Sequence, residues 1–257
     1  MRQVNTLKQK LAAGKPVVGM WASLPCPAVV EAMSLAGYDY IIIDSEHGQL
    51  DLETTIDMMR ACAVGSAEGL VRVPGKDPDY LKRLLDAGCT SFMVPMVDTT
   101  EQAQAIVDAC RYPPRGRRGY AAPIVRGSRY GLDTDYIEWA HEELFLTLQI
   151  ESAEAVTNAD AIAAIDGVDQ LFVGANDLSG SLGVLTQTSH PDVLAAIETV
   201  KTAAAKHGKT LGTIPRPDVS TADLAKTGFL LGAGGSDIYW ICEGAKADIA
   251  AFRAANG

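Results

Sequence analysis

The 257-residue chain has no excess of basic residues, no membrane-length apolar run and no paired-cysteine motif. Its 22 Lys and Arg face 32 Asp and Glu, a net charge of -10. An acidic surface argues against nucleic acid or an anionic membrane as a partner. It still admits an anionic small substrate, because a local arginine or metal overrides the mean field. No apolar stretch approaches the roughly 18 residues of a membrane span. Residues 1–15 carry charges at helical spacing and lack the apolar core of a signal peptide. The five cysteines (Cys26, Cys62, Cys89, Cys110, Cys242) are odd in number and widely spaced, without a Cys-x-x-Cys pair. That argues against a zinc ribbon or a thioredoxin motif. They read as reduced, mostly buried side chains of a cytoplasmic protein. No domain boundary or low-complexity segment stands out, so one domain over residues 1–257 is expected.

What is present is an alternation of short apolar runs with helix-length segments. The runs are Val17–Leu24, Tyr38–Ser45, Gly69–Val73, Ser91–Val97, Leu144–Ile150, Gln170–Ala175, Thr210–Ile214 and Phe229–Gly232. Most read as strands buried on both faces. The helical candidates are Pro27–Leu35, Leu52–Ala63, Pro78–Ala87, Thr100–Cys110, Ala153–Ala164, Pro191–Lys206, Thr221–Thr227 and Ile238–Ala255. Asp98-Thr99-Thr100-Glu101 and His190-Pro191 carry helix-start chemistry. Eight such units predict a (β/α)8 TIM barrel. A doubly wound sheet is the rival, but no strand opens into Gly-x-Gly-x-x-Gly. The longest irregular stretch, Arg111–Tyr136, holds six arginines (Arg111, Arg115, Arg117, Arg118, Arg126, Arg129) and predicts a functional loop or a subunit contact.

In a barrel, chemistry collects where strands end. Those ends offer Trp21 and Ser23; Asp44, Glu46 and His47; Arg72; Gln149 and Glu151; Asn176 and Asp177; Thr213 and Pro215; Ser236 and Asp237. Glu151 and Asp177 close two consecutive strands around one helix. Adjacent like charges hold a cation or a shared proton, and oxygen ligands suit Mg2+ or Mn2+. The plainer reading makes one a helix cap and pairs the other with an arginine. His47 suits general acid–base work or is an exposed loop residue. His141, His190 and His207 lie in or beside helical segments and are weaker candidates. Arg72, inside an apolar strand, needs an anion: a substrate oxyanion, or Asp44 or Glu46. Asp86 sits at a helix end where the dipole disfavours a carboxylate; solvation or a partnership with His47 accounts for it. The Gly-rich run Leu231–Ser236 reads as a turn that either cradles an anion or allows tight packing.

Taken in order, Asp44-Ser45-Glu46-His47, Val71-Arg72, Leu84-Leu85-Asp86-Ala87-Gly88, Val94-Pro95-Met96-Val97, Arg111-Tyr112-Pro113-Pro114 with Arg118-Gly119, Gln149-Ile150-Glu151 and Gly174–Ser179 form a specific set. Over Leu7 to Phe252 the chain resembles the class II pyruvate aldolases of the HpcH/HpaI type, which act on 4-hydroxy-2-oxo acids. The resemblance implies metal-dependent, reversible cleavage to pyruvate and an aldehyde. Examples of such substrates are 4-hydroxy-2-oxoheptanedioate and 2-dehydro-3-deoxy sugar acids. It implies Glu151 and Asp177 as ligands of a divalent cation (Mg2+ or Mn2+, with Co2+ as a further option) and no organic cofactor. It implies Arg72 at the enolate oxygen, a His47–Asp86 pair, and Gln149 at the keto end. The amides of Ala175 and Asn176 would hold the pyruvate carboxylate. Trp21, Asp44 and Pro215 would line the pocket, with the 111–129 segment shaping the aldehyde side. Family members are commonly oligomers, trimers or hexamers, and helix 238–255 would exchange between subunits or cover its own barrel. The family often has Gly-Pro-Ala-Asp where this chain has Gly174-Ala175-Asn176-Asp177, and Gly where it has Ser45. The alternative is a lyase acting on a CoA thioester, as in the related citrate-lyase-like enzymes, with 111–129 as the only basic patch to receive CoA.

Overall fold

Eight parallel strands close in chain order into a barrel in the computed structural model, which describes residues 2–256. The single-barrel expectation for 1–257 also covers Met1 and Gly257, which lie outside the described residues. Helix α1 (Thr6–Ala12) comes first. The strands and helices then alternate: β1 (Val17–Ala22), α2 (Pro27–Ala36), β2 (Tyr40–Asp44), α3 (Leu52–Cys62), β3 (Glu68–Arg72) and α4 (Pro78–Asp86). There follow β4 (Ser91–Val94), α5 (Thr100–Cys110), α6 (Tyr136–Glu143), β5 (Phe145–Ile150), α7 (Ala153–Ala163), β6 (Gln170–Val173), α8 (Ala175–Ser181) and α9 (Pro191–Lys206). The chain closes with β7 (Thr210–Thr213), β8 (Leu231–Ser236) and α10 (Asp237–Asn256). This is the (β/α)8 barrel expected from the alternation.

Strand side chains alternate between two cores. Tyr40, Ile42, Leu70, Met93, Phe145, Phe172, Leu231 and Ala233 point inward, with Leu7 and Leu11 of α1 joining the same cluster. Met20, Ile41, Ile43, Val71, Phe92, Leu146, Leu148, Ile150, Leu171 and Val173 point outward under the helices. With both faces apolar, the strands are continuous hydrophobic runs. Helix starts follow their capping chemistry. Thr99 accepts from the Gln102 amide, Ser152 from the Ala155 amide, and Pro191 stands just after the His190 cap. Helices α5, α7 and α9 therefore begin near the strand ends that carry the polar residues.

Several local expectations change. Residues 231–236 are not a turn but strand β8, paired with β1 and β7. The glycines there serve packing: a Cβ on Gly234 would lie 2.9 Å from Thr221 Oγ1, and one on Gly235 2.5 Å from the Trp240 ring. Residues Thr221–Thr227 form a 3-10 helix. Helices α1, α6 and α8 are additional to the eight helical candidates, although α1 and α6 fall where residues 1–15 and the segment around His141 carry helical character. The last helix does not cover its own barrel. Of α10 only Asp237 is buried, while Tyr239, Trp240, Ile241, Ile249 and Phe252 are exposed. Val18, on the outer face of β1, is left 42% exposed.

Candidate active site

The last inward-facing residues of the strands build one mouth. On β2 and β3, Asp44 stands directly opposite Arg72. Arg72 Nε donates to Asp44 Oδ1 at 2.9 Å and Nη2 to Oδ2 at 2.7 Å, a bidentate fork. Arg72 Nη1 lies 3.0 Å from Glu46 Oε2. The guanidinium also stacks on Trp21, 4.4 Å from the ring centroid, and Trp21 meets Phe172 edge-on. The arginine is thus fixed on three sides before any substrate arrives. Burial works against the Asp44 charge, but the Arg72 fork and the amides of His47 and Glu46 hold its carboxyl below the usual range. Glu46 is pushed up, first by burial and then by the charges of Asp44 and Asp177, against the pull of Arg72.

Glu151 is 4% exposed at the end of β5. Its Oε1 accepts from the Met96 amide at 2.7 Å and its Oε2 from Gln149 Nε2 at 3.1 Å. Burial raises its carboxyl to about 7, and the charges of Asp177 and Glu46 act in the same direction. No cation of the protein pairs with it in a salt bridge among the described residues. Gln149, 2% exposed, keeps its Oε1 buried without a partner. Gly174 is required by this arrangement, since a Cβ there would lie 2.3 Å from Glu151 Oε2. Asp177 stands in the first turn of α8, exposed, after the buried Ala175 and the exposed Asn176.

A buried carboxylate without a counter-charge, a second carboxylate close enough to raise it, and an orphaned amide oxygen beside it fit a hard divalent cation. Among the described residues no group of three or more His, Cys, Asp or Glu side chains stands ready to enclose a metal. Glu151 and Asp177 would supply two carboxylates to such a cation, which would leave its other positions open to substrate.

The structure brings Trp21, Asp44, Arg72, Gln149 and Glu151 together on the inner wall and places Asn176, Asp177 and Pro215 at the rim. It does not bring Asp86 to His47. Helix α4 starts beside the mouth and runs to the opposite end of the barrel, where Arg118 Nη2 donates to Asp86 Oδ1 at 2.8 Å. The His47 side chain is 70% exposed, and its carboxylate neighbour is Glu46, 3.9 Å away. The Arg-rich 111–129 segment is likewise corrected. It links the end of α5 to the chain before β5 and lies with Asp86: Arg111 pairs with Asp166, and Arg126 donates to the Ala87 carbonyl. It shapes no part of this chain's own mouth.

Residue-type reasoning gave no role to Met96 or Gly174, whereas the expected pairing of Arg72 with Asp44 or Glu46 is made with both. Met96 contributes through its backbone, held at a φ of 51°, and only the strained conformation shows it.

Residues 17–242 match the family model described as HpcH/HpaI aldolase/citrate lyase. The chain belongs to this family. It is 37% identical over 249 residues to the hydroxypyruvate/pyruvate aldolase of Cupriavidus necator, covering 97% of this chain and 93% of that one. It is 39% identical to the 5-keto-4-deoxy-D-glucarate aldolase of Klebsiella pneumoniae over 234 residues, 91% of each chain. Among solved structures, an HpcH/HpaI aldolase/citrate lyase family protein from Burkholderia cenocepacia superposes with a TM-score of 0.91 at 35% identity, over 97% of this chain and all of the other. Membership of the HpcH/HpaI family and these aldolase relatives make the chain a carbon–carbon lyase.

Proposed function

We propose that the protein is a metal-dependent aldolase that reversibly cleaves a 4-hydroxy-2-oxo acid to pyruvate and an aldehyde. The observation that carries this reading is Glu151: a buried carboxylate raised to about 7, beside Asp177 and the orphaned Gln149 Oε1. A divalent cation held by Glu151 and Asp177, Mg2+ or Mn2+ in the first instance, would supply Lewis acidity to the 2-oxo acid. Arg72 would meet the negative charge that develops on the keto oxygen. Its fork to Asp44 and its stacking on Trp21 fix it there in advance, so little reorganisation opposes the reaction. Gln149 would orient the keto end. The Ala175 and Asn176 amides, at the start of α8, would bind the donor carboxylate. His47 is exposed at the rim and would exchange the proton of the 4-hydroxyl with solvent. Pro215 would border the aldehyde.

The CoA-thioester alternative loses its support from the basic segment, because 111–129 lies at the other end of the barrel. We also read the protein as a cytoplasmic homo-oligomer. Exposed Tyr239, Trp240, Ile241, Ile249 and Phe252 on α10, with bare Val18 on β1, suit exchange of the last helix with a second copy. No helix is long and apolar enough to cross a membrane. Light scattering that shows a monomer would remove the exchange.

The test of the reaction is solvent deuterium exchange into the methyl group of pyruvate, followed by NMR with Mg2+ or Mn2+ and again with chelator. Metal-dependent exchange is expected. Its absence with every divalent ion would overturn the pyruvate donor.

A further inference from the structure

Asp237 stands just after β8, and the proposed reaction gives it no task. It is the first residue of α10 and the one buried residue of that helix. At 3% exposure its carboxylate needs partners. Its own helix takes little from it: the Ile238 amide donates to Oδ1 at 2.8 Å, while the Tyr239 amide is capped by Ser236 Oγ. Oδ2 reaches across instead to the loop after β1. There it accepts from the Ser23 amide at 3.0 Å and from the Leu24 amide at 2.9 Å. A carboxylate oxygen that takes two amides at once holds that loop firmly.

A bulge makes the reach possible. Ala233 of β8 pairs with Gly19 of β1, and Ser236 pairs with Trp21, so β8 carries one residue more than β1 between the two pairs. A bulge of this kind bends the strand and re-aims the side chains that follow. It lies at Gly234-Gly235, where a Cβ on Gly235 would stand 2.5 Å from the Trp240 ring. The first turn of α10 is therefore seated on the bulge before the helix leaves the barrel. The loop that Asp237 holds also touches both supports of Arg72. Trp21 is the ring on which the guanidinium stacks. Ser23 Oγ donates at 3.4 Å to Asp44 Oδ2, the oxygen that also takes Arg72 Nη2. A Cβ on Gly48 would lie 2.2 Å from the Asp44 carbonyl oxygen and 3.0 Å from that of Ser23, so this loop and the turn after β2 press together without slack.

We propose that Asp237 is a positioning residue for Arg72: by pinning the loop after β1, it keeps Trp21 and Asp44 in the alignment that aims the guanidinium. The proposal rests on the aldolase reading and extends it to the joint between β8 and α10. In that reading Arg72 meets charge that develops only as the enolate forms. Misaligning it therefore slows turnover and leaves the binding of pyruvate and metal unchanged.

The experiment measures metal-dependent deuteration of pyruvate in Asp237→Ala, Asp237→Asn and Ser23→Ala, each alone and combined with Arg72→Lys. Asp237→Ala should lower kcat about 10- to 30-fold, with KM for pyruvate held within about twofold. Asp237→Asn keeps an acceptor for the two amides and should stay within about threefold of the wild type. Ser23→Ala leaves those amide bonds in place, removes the link to Asp44 and should cost about threefold in kcat. In the Arg72→Lys background the losses of Asp237→Ala and Ser23→Ala should each shrink to about 1.5-fold or less, because the fork and the stack through which they act are gone. Circular dichroism and calorimetric Mg2+ titration establish that each variant folds and keeps its metal site. Should Asp237→Ala not fold, Ser23→Ala and its combination with Arg72→Lys decide. An unchanged kcat, or losses that multiply in full with that of Arg72→Lys, overturns the assignment. Absence of exchange in the wild type overturns the aldolase reading itself, so the two failures are distinguishable.

Discussion

The two ends of the barrel are both rich in charge, yet they treat it differently. At the end opposite the mouth most charges meet charged partners, with Glu68 held instead by the hydroxyls of Thr90 and Ser91. Arg2 pairs with Glu142 and Glu143, Lys8 with Asp169, Lys10 with Asp39, Arg111 with Asp166 and Arg118 with Asp86. Glu143 also accepts from the Asn5 amide, which draws the N-terminal segment over the barrel floor. At the mouth, Asp44, Glu46, Glu151 and Asp177 gather around Arg72 alone among the described ion pairs. Matched charge stabilises a fold, while an unmatched set is held ready for a ligand that completes it. The same side-chain types thus serve stability at one end and chemistry at the other.

The sharpest break of that contrast is Glu151→Gln. It should abolish metal binding by calorimetry and lower metal-dependent pyruvate deuteration by at least about a thousandfold. Without metal, the same variant should be more heat-stable than the wild type near pH 8, by about 2–3 kcal/mol or less. The Glu151 carboxyl lies at about 7 when folded, above the ordinary carboxylate value near 4.3. Its contribution to stability is therefore complete below that ordinary value and lost as pH rises through about 7. A metal-free wild type that outlasts the variant at high pH would contradict the unmatched charge.

Arg72→Lys removes the fork but keeps the charge. Deuteration should slow about a hundredfold, while metal affinity holds within about threefold. A loss confined to metal affinity would instead make Arg72 a support for the ligands. Arg118→Met probes the other end. It leaves Asp86 without its partner and Tyr112 and Tyr136 without the cation they stack on. Chemical denaturation should register a loss of about 2–4 kcal/mol, with metal affinity unmoved. Equal effects at both ends would erase the division between them. The smallest effect is on pH dependence. With Glu151 as a ligand, proton and metal would compete for it, so Mg2+ affinity should improve about tenfold per pH unit up to about 7 and level off above it. A flat profile in calorimetric titrations would remove Glu151 from the ligand set.

Much of this was readable beforehand. Inward-facing positions recur every second residue, so the residues that end apolar runs (Trp21, Asp44, Arg72, Gln149, Glu151) fall on one wall by the strand period alone. Asp86 and the 111–129 arginines lie away from this chain's own mouth for a reason that the pattern itself contains. Both follow helices and precede strands, and in a strand–helix–strand unit that position is the barrel end away from the mouth. Glycine's turn preference misled at 231–236, where neighbouring strands and the Trp240 ring decide the conformation. Met96 acts by its amide and Gly174 by having no side chain, and neither property is written in the residue's chemistry.

The outlying helix α10 adds a different kind of dependence. A barrel that covered itself would owe its stability to intramolecular contacts alone. Here the apolar face of the last helix and the uncovered β1 both await a surface. Exchange between copies would make part of the folding free energy intermolecular, so mass action would enter it. Dilution, which leaves a self-contained barrel untouched, would then act on this one as a denaturant.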